Sequence, residues 1–265
     1  MWQRFFGMKR LPFDNELPAE ELFRSHAMQE AAARLDYLLS VRGMGLLTGE
    51  VGTGKTTVVR QVLARQNPSL VKSVYVANTT GTPYDLYKTI AWEFGQEPMR
   101  NRSGLYRQIR EEVRRLVVDK RLQPVLVVDE AHLLRADVLE ELRLLTNYEM
   151  DSRNHLTLLL VAQPELERRL SLSVYEALRQ RMIVRWRLGS LGREELPEYL
   201  KHHLALAGVT HPLFNETAVE SLAQACKGVL RRINMVCRHA LASAALRKSQ
   251  QVEAEDVEVA VMEAS

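Results

Sequence analysis

Gly49-Glu50-Val51-Gly52-Thr53-Gly54-Lys55-Thr56 fits the spacing G-x-x-x-x-G-K-[ST]. Glycines at those positions let successive backbone N–H groups turn inward around phosphate oxygens, and a following helix adds the positive end of its dipole. Lys55 would contact the outer phosphates and the Thr56 hydroxyl would ligate Mg2+, with the phosphate-contacting set running on to Thr57. Further along, Val125-Leu126-Val127-Val128-Asp129-Glu130 sets two acids at the end of an apolar run. In an open α/β sheet that end is the ligand-binding edge. Asp129 would hold the Mg2+ hydration shell, and Glu130 would orient and polarise a water attacking the terminal phosphate. The plain alternative is a solvated Asp-Glu pair capping the next helix.

Three further groups are candidates for the same chemistry. Gln163 follows a fourth apolar run, where its amide would reach the terminal phosphate or the water; a turn residue bonded to local backbone is the alternative, since Gln-Pro pairs start turns. Arg179 and Arg181 precede a fifth run, and in a side-by-side assembly either would enter the neighbour's site; otherwise they pair with surface acids. Arg231 and Arg232 open a late helix, from which one would fold over the phosphates or stay in solvent.

These side chains need elements to position them. Short Val- and Leu-rich runs at 45–48, 73–77, 124–130, 156–162 and 183–188 alternate with longer amphipathic stretches, the signature of an α/β fold with a parallel sheet. The run Val125 to Val128 is apolar at successive positions, as in strands covered on both faces. The pattern predicts helices over 55–66, 84–94, 103–118 and 136–149. After about Leu191 the strands stop and helices follow near 193–207, 216–226, 230–248 and 254–263, with Asn215 a cap for the second. The expected division is therefore 1–190, an α/β nucleotide-binding domain carrying the N-terminal segment, and 191–265, a helical domain.

Composition removes other classes. The 265 residues are 46% hydrophobic and 26% charged, with 36 Lys and Arg against 33 Asp and Glu. No apolar stretch approaches the ~20 residues of a membrane span, and the N-terminus lacks the unbroken apolar core of a secretory signal, so the expected location is cytoplasmic, with no membrane partner. Cys226 and Cys237 are the two cysteines, with no partner histidine pattern for zinc.

Together, the loop at 49–56, the acids at 129–130, Gln163, the arginines at 179–181 and Arg231 in the helical region resemble an AAA+ ATPase of the P-loop NTPase class. The runs FFGMKRLPF, LTGEVGTGKTT, VVDEAHLL, LEELRLLTNYEMDS, LLLVAQPEL and LRQRM make the chain similar to the ExeA family. The resemblance implies a five-stranded parallel sheet with a helical lid, ATP and Mg2+ as cofactors, Lys55 and Thr56 as Walker A, and Asp129 and Glu130 as Walker B. It implies Gln163 as sensor 1, Arg231 as sensor 2, and Arg181 or Arg179 as an arginine finger. Leu230 stands where relatives have Pro before the sensor arginine.

Secretion-linked members of that family carry a membrane segment and a peptidoglycan-binding domain; this sequence, ending at Ser265, shows neither. The compact form resembles the helper ATPases of transposable elements, of the IstB, MuB and TnsC type. The leading expectation is therefore an ATP-dependent DNA-binding switch, a ring or filament of identical subunits on duplex DNA that recruits a DDE-type transposase. One alternative is an ExeA-type ATPase energising secretion or envelope assembly, and another a nucleotide-gated scaffold with negligible hydrolysis. Residues 99–121 hold eight bases against three acids. Arg100 and Arg102 there, with Thr79 and Thr80 in a polar loop on the same sheet edge, are the candidate DNA contacts, made to phosphates and hence tolerant of sequence and sensitive to salt.

Overall fold

Apolar runs too short for helices and flanked by amphipathic segments can bury both faces only in the middle of a layered sheet. In the computed structural model, which describes residues 2–14, 16–77, 80–149 and 153–263, they form β1 (Met44–Thr48), β2 (Val71–Val76), β3 (Gln123–Val128), β4 (Thr157–Ala162) and β5 (Met182–Arg187). The helices in chain order are α1 (Trp2–Phe5), α2 (His26–Val41), α3 (Lys55–Ala64), α4 (Pro83–Glu93), α5 (Arg102–Val118), α6 (Ala136–Leu145), α7 (Glu165–Leu170), α8 (Glu176–Gln180), α9 (Leu196–Leu206), α10 (Glu216–Cys226), α11 (Leu230–Leu246) and α12 (Ala254–Glu263).

The five strands lie in the order β2-β3-β4-β1-β5, and every pair is parallel. The two strands flanked on each side by others and rich in Leu, β1 and β4, are buried throughout. The edge strand β5 alternates, with Met182 and Val184 inward and Ile183, Arg185 and Arg187 exposed. Register decides which chain ends meet. Val76 sits beside Val128 and Val128 beside Leu160, while Thr48 sits beside Ala162. Asp129, Gly49 and Gln163 therefore all leave the sheet at one edge.

Contacts divide the chain into one unit of Met1–Gln29, Glu50–Gly54 and Gly189–Ser265 and another of Glu30–Gly49 and Lys55–Leu188. In the sheet unit, α4 begins with a reciprocal cap between Thr82 and Asp85, and α5 with the Asn101 side chain accepting from the Gly104 N–H. The helix expected over 136–149 stops at Leu145. Tyr148 instead turns its ring against His155 at 5.0 Å and bridges to Arg153, and Glu149 takes a left-handed φ of 48° that no α-helix contains.

In the helical unit, Leu200, Leu222, Ile233, Val236 and Leu241 are buried on the facing stripes of α9, α10 and α11. Asn215 caps α10 by accepting from the Ala218 N–H at 2.8 Å. The N-terminal segment groups with this unit, not with the sheet to which the division at 190/191 had joined it. Its apolar side chains explain that: Phe6 and Phe13 are buried in the helical core, and Phe13 lies stacked on His203 at 5.1 Å. Burial, then the neighbouring His202 and Arg10, push the His203 imidazole down to about 3.

A histidine held neutral in the fold but free to protonate near its ordinary value when unfolded makes the unfolded chain the better proton binder. Its contribution is complete above about pH 6.5 and is lost as pH falls below that, by up to about 1.4 kcal/mol per pH unit. Urea unfolding at pH 7, 6 and 5 should therefore show stability falling with acid, and His203→Gln should flatten part of that slope. An unchanged slope in the variant would refute the assignment.

Candidate functional site

The phosphate loop depends on backbone angles that glycine alone adopts without strain. Gly52 and Gly54 have φ of +80° and +97°. A Cβ on Gly52 would sit 2.8 Å from Cβ of Arg231. The closeness is built in, because the Arg231 N–H donates to the Gly52 carbonyl at 3.1 Å. The Thr53 hydroxyl closes the loop by donating to the Glu50 carbonyl at 2.9 Å. Lys55 opens α3 and is buried, its Nζ donating to the Gly49 carbonyl at 2.8 Å.

Within the sheet unit, three elements converge on Asp129, which is buried. Its Oδ2 accepts from the Thr56 hydroxyl on α3 at 2.7 Å and from the Tyr75 hydroxyl on β2 at 2.7 Å. Its Oδ1 accepts from the Glu130 N–H at 2.8 Å. Burial, and then the bond to Asp129, hold the Tyr75 phenol well above its ordinary range, so it stays a donor.

Glu130 has a left-handed φ of 50°. Its carboxylate is half exposed and lies 3.6 Å from His132 Nε2. That ring nitrogen is also 2.9 Å from the Gln163 side-chain amide. Arg169 fixes the turn that carries His132, donating to the carbonyls of His132 and Leu134 at 2.8 Å each. At the end of β1, the buried Thr48 hydroxyl donates to the Glu167 carboxylate on α7.

The structure thus brings Lys55, Thr56, Asp129, Glu130 and Gln163 to one edge of the sheet. In the helical unit it sets Arg231 on Gly52. Arg181 precedes β5, at the opposite edge of a parallel sheet, with its guanidinium 3.4 Å from the Thr146 hydroxyl. Arg179 donates to the carbonyls of Leu170 and Ser171 at 3.3 and 3.1 Å, holding the end of α7. Arg100 is exposed, whereas Arg102 is engaged by the buried carboxylate of Glu141, which also accepts from Tyr87. Thr80 is exposed; Thr79 lies outside the described residues.

Four side chains that sequence reasoning did not single out shape the site: Tyr75, His132, Glu167 and Arg169. His132 was within reach, since it stands two residues after Glu130 in the same run. Tyr75 meets Asp129 through the pairing of β2 with β3, which sequence spacing does not carry.

Hydroxyl and carboxylate oxygens from Thr56 and Asp129 suit Mg2+, which keeps several waters and takes few protein ligands. Among the described residues no group of three or more His, Cys, Asp or Glu side chains could cage a metal instead. Buried Lys55 and this oxygen pair, all within the sheet unit, fit the phosphates of a nucleoside triphosphate with Mg2+.

Comparison with known proteins agrees. The AAA domain family matches residues 38–170. General secretion pathway protein A of Aeromonas hydrophila is 37% identical over 270 residues, an alignment covering 100% of this chain and 49% of that protein. The chain therefore spans about half the length of that curated relative. Among solved structures, Cdc6p from Pyrobaculum aerophilum superposes with a TM-score of 0.73 at 17% identity, covering 98% of this chain and 70% of the other. The Aeropyrum pernix ORC2 protein, solved as ADPNP-ADP complexes, gives 0.68 at 21% identity, covering 97% and 72%. At such identities the likeness shows the fold. Among the described residues no helix is long and apolar enough to cross a membrane.

The crowding at Gly52 yields a specific expectation. Gly52→Ala forces a Cβ into a left-handed residue and against Arg231, so affinity for a fluorescent ATP analogue, measured by titration, should fall at least about tenfold. Lys55→Ala should do the same through loss of the buried cation. Binding at the unmodified affinity in either variant would contradict the geometry.

Proposed function

This chain belongs to the AAA domain family as an ExeA-like ATPase with ATP and Mg2+ as its ligands, and from that premise we propose that it hydrolyses ATP with the residues at the sheet edge to drive an ExeA-type task in secretion or envelope assembly. The observation that carries the task is the 37% identity that runs over 100% of the chain to General secretion pathway protein A. The observation that carries the chemistry is the pair of carboxylates, one buried and bonded to Thr56, the next turned outward into solvent.

Those two carboxylates divide the labour. Lys55 and the loop N–H groups bind the phosphates, and Thr56 with Asp129 holds the metal. Mg2+, when bound, offsets charge on the phosphoryl oxygens. Glu130, which has no place in the metal-binding pair, orients water and accepts its proton. Arg231, tied by its backbone to Gly52, contributes positive charge at the loop. The subunits assemble as homo-oligomers, and Arg181, or else Arg179, acts from a neighbouring copy.

A second reading, the DNA-bound transposition helper with a DDE-type transposase as partner, retains one observation in its favour. Arg107 and Arg114 lie on α5 in the base-rich stretch at 99–121, beside exposed Arg100. A surface of this kind would bind phosphate backbones in proportion to low salt.

Glu130→Gln separates hydrolysis from binding. The variant should bind the ATP analogue as the parent does while kcat falls about 10²- to 10⁴-fold; hydrolysis at the parent rate would remove Glu130 from its role. To choose between partners, labelled duplex is titrated with the protein under ATP, ADP or no nucleotide at two salt concentrations. The secretion reading expects no ATP-dependent binding, and tight ATP-dependent binding that weakens with salt would overturn it for the DNA reading.

A further inference from the structure

Tyr75 lies on β2, an edge strand of the sheet, and 42% of it is exposed. A tyrosine in that setting could leave its hydroxyl in water at no cost. Instead the hydroxyl donates inward to Oδ2 of Asp129 at 2.7 Å, an ionised carboxylate having no proton to donate in return. The backbone aims it there. Tyr75 pairs with Val127, and the Asp129 N–H carries the ladder one residue further by donating to the Val76 carbonyl at 2.9 Å. Asp129 therefore stands two residues beyond the partner of Tyr75, on the same face of the sheet. Diagonal neighbours of this kind are about 7–8 Å apart, a gap that an aromatic side chain spans and a Ser or Thr does not.

The bonds on Asp129 are unevenly shared between its oxygens. Oδ2 accepts from the Thr56 and Tyr75 hydroxyls, which spends both of its lone pairs. Among the described residues Oδ1 accepts from the Glu130 N–H alone, so one lone pair remains there. The torsion that turns an aspartate carboxylate is soft, and exchanging the two oxygens would offer a ligand the one already spent. Thr56 has a second duty on the cation, whereas Tyr75 has none. From this division we propose that Tyr75 is a positioning residue for Mg2+: by closing Oδ2 it reserves Oδ1, with its remaining lone pair, for the hydration shell of the cation. The inference rests on the reading of Thr56 and Asp129 as the metal pair given above. Without the Tyr75 hydroxyl the carboxylate turns more freely, and the cation is held less well even though Lys55 still meets the phosphates.

The test uses the full chain and a fluorescent ATP analogue, titrated first without metal and then with Mg2+ added to the nucleotide-bound protein. Tyr75→Phe removes one oxygen from a half-exposed side chain and keeps the ring. It should bind the metal-free analogue within about twofold of the parent while the Mg2+ midpoint rises about tenfold or more, the usual cost of losing a group that orients a metal ligand. Replacing Tyr75 by para-aminophenylalanine, which returns a donor to the same place on the ring, should bring the midpoint most of the way back. A parent Mg2+ midpoint in Tyr75→Phe would overturn the proposal. So would a metal-free affinity that falls as far as the Mg2+ midpoint rises, since that is the mark of a merely structural role. Failure of the underlying reading looks different: Asp129→Asn would then keep the parent Mg2+ midpoint, whatever the Tyr75 variants show.

Discussion

A buried carboxylate is costly unless its lone pairs are occupied, and the Asp129 carboxylate has each of its oxygens engaged. Thr56 reaches it from the helix after the phosphate loop, Tyr75 from the neighbouring strand, and Glu130 from its own backbone. Satisfying that one group fixes the first turn of α3, the end of β2 and the turn after β3 relative to each other. The remaining site geometry follows. Lys55 is placed because Thr56 is, and Glu130 is turned outward because its N–H is taken by the carboxylate before it.

This constraint also separates what could be read from sequence and what could not. The phosphate loop is legible because its chemistry is local: glycines at fixed offsets, then Lys55 and Thr56, with Gly52 and Gly54 in the left-handed angles such a loop requires. The five strands are legible because unbroken apolar runs have no other place in a small α/β layer. Tyr75 was illegible, since only the order β2-β3 with Val76 beside Val128 brings it to Asp129. Glu167 is hidden for the same reason, since the helix after β4 meets Thr48 only through the pairing of β4 with β1. The helix over 136–149 was overextended because apolar spacing continues past Leu145, while the stacking of Tyr148 on His155 is a tertiary preference that overrides it. The N-terminal segment was misassigned because its aromatic residues advertise burial but not the surface they bury against.

Charge has a similar lesson. The balance of 36 bases and 33 acids averages over unlike local environments. Arg102, Arg179 and Arg181, all attractive as ligand contacts in the sequence, are occupied by Glu141, by the carbonyls ending α7, and by Thr146. Arginine is suited to such work, since its five donors tie up carbonyls and carboxylates in a fixed fork. A basic stretch therefore overstates the cation surface offered to a polyanion, and the identity to a secretion-pathway protein weighs more in the choice of task than the excess of arginine does.

The dependence of the site on Asp129 is open to one direct measurement. Asp129→Asn preserves shape and can still meet Thr56 and Tyr75, but it removes the negative charge that would hold Mg2+ in the proposed role. Single-turnover hydrolysis of ATP, recorded across a Mg2+ titration beside the affinity for the nucleotide without Mg2+, reports both functions. The account predicts that metal-free nucleotide binding persists while Mg2+-dependent hydrolysis is lost. Hydrolysis at the parent rate and with the parent Mg2+ dependence would contradict it.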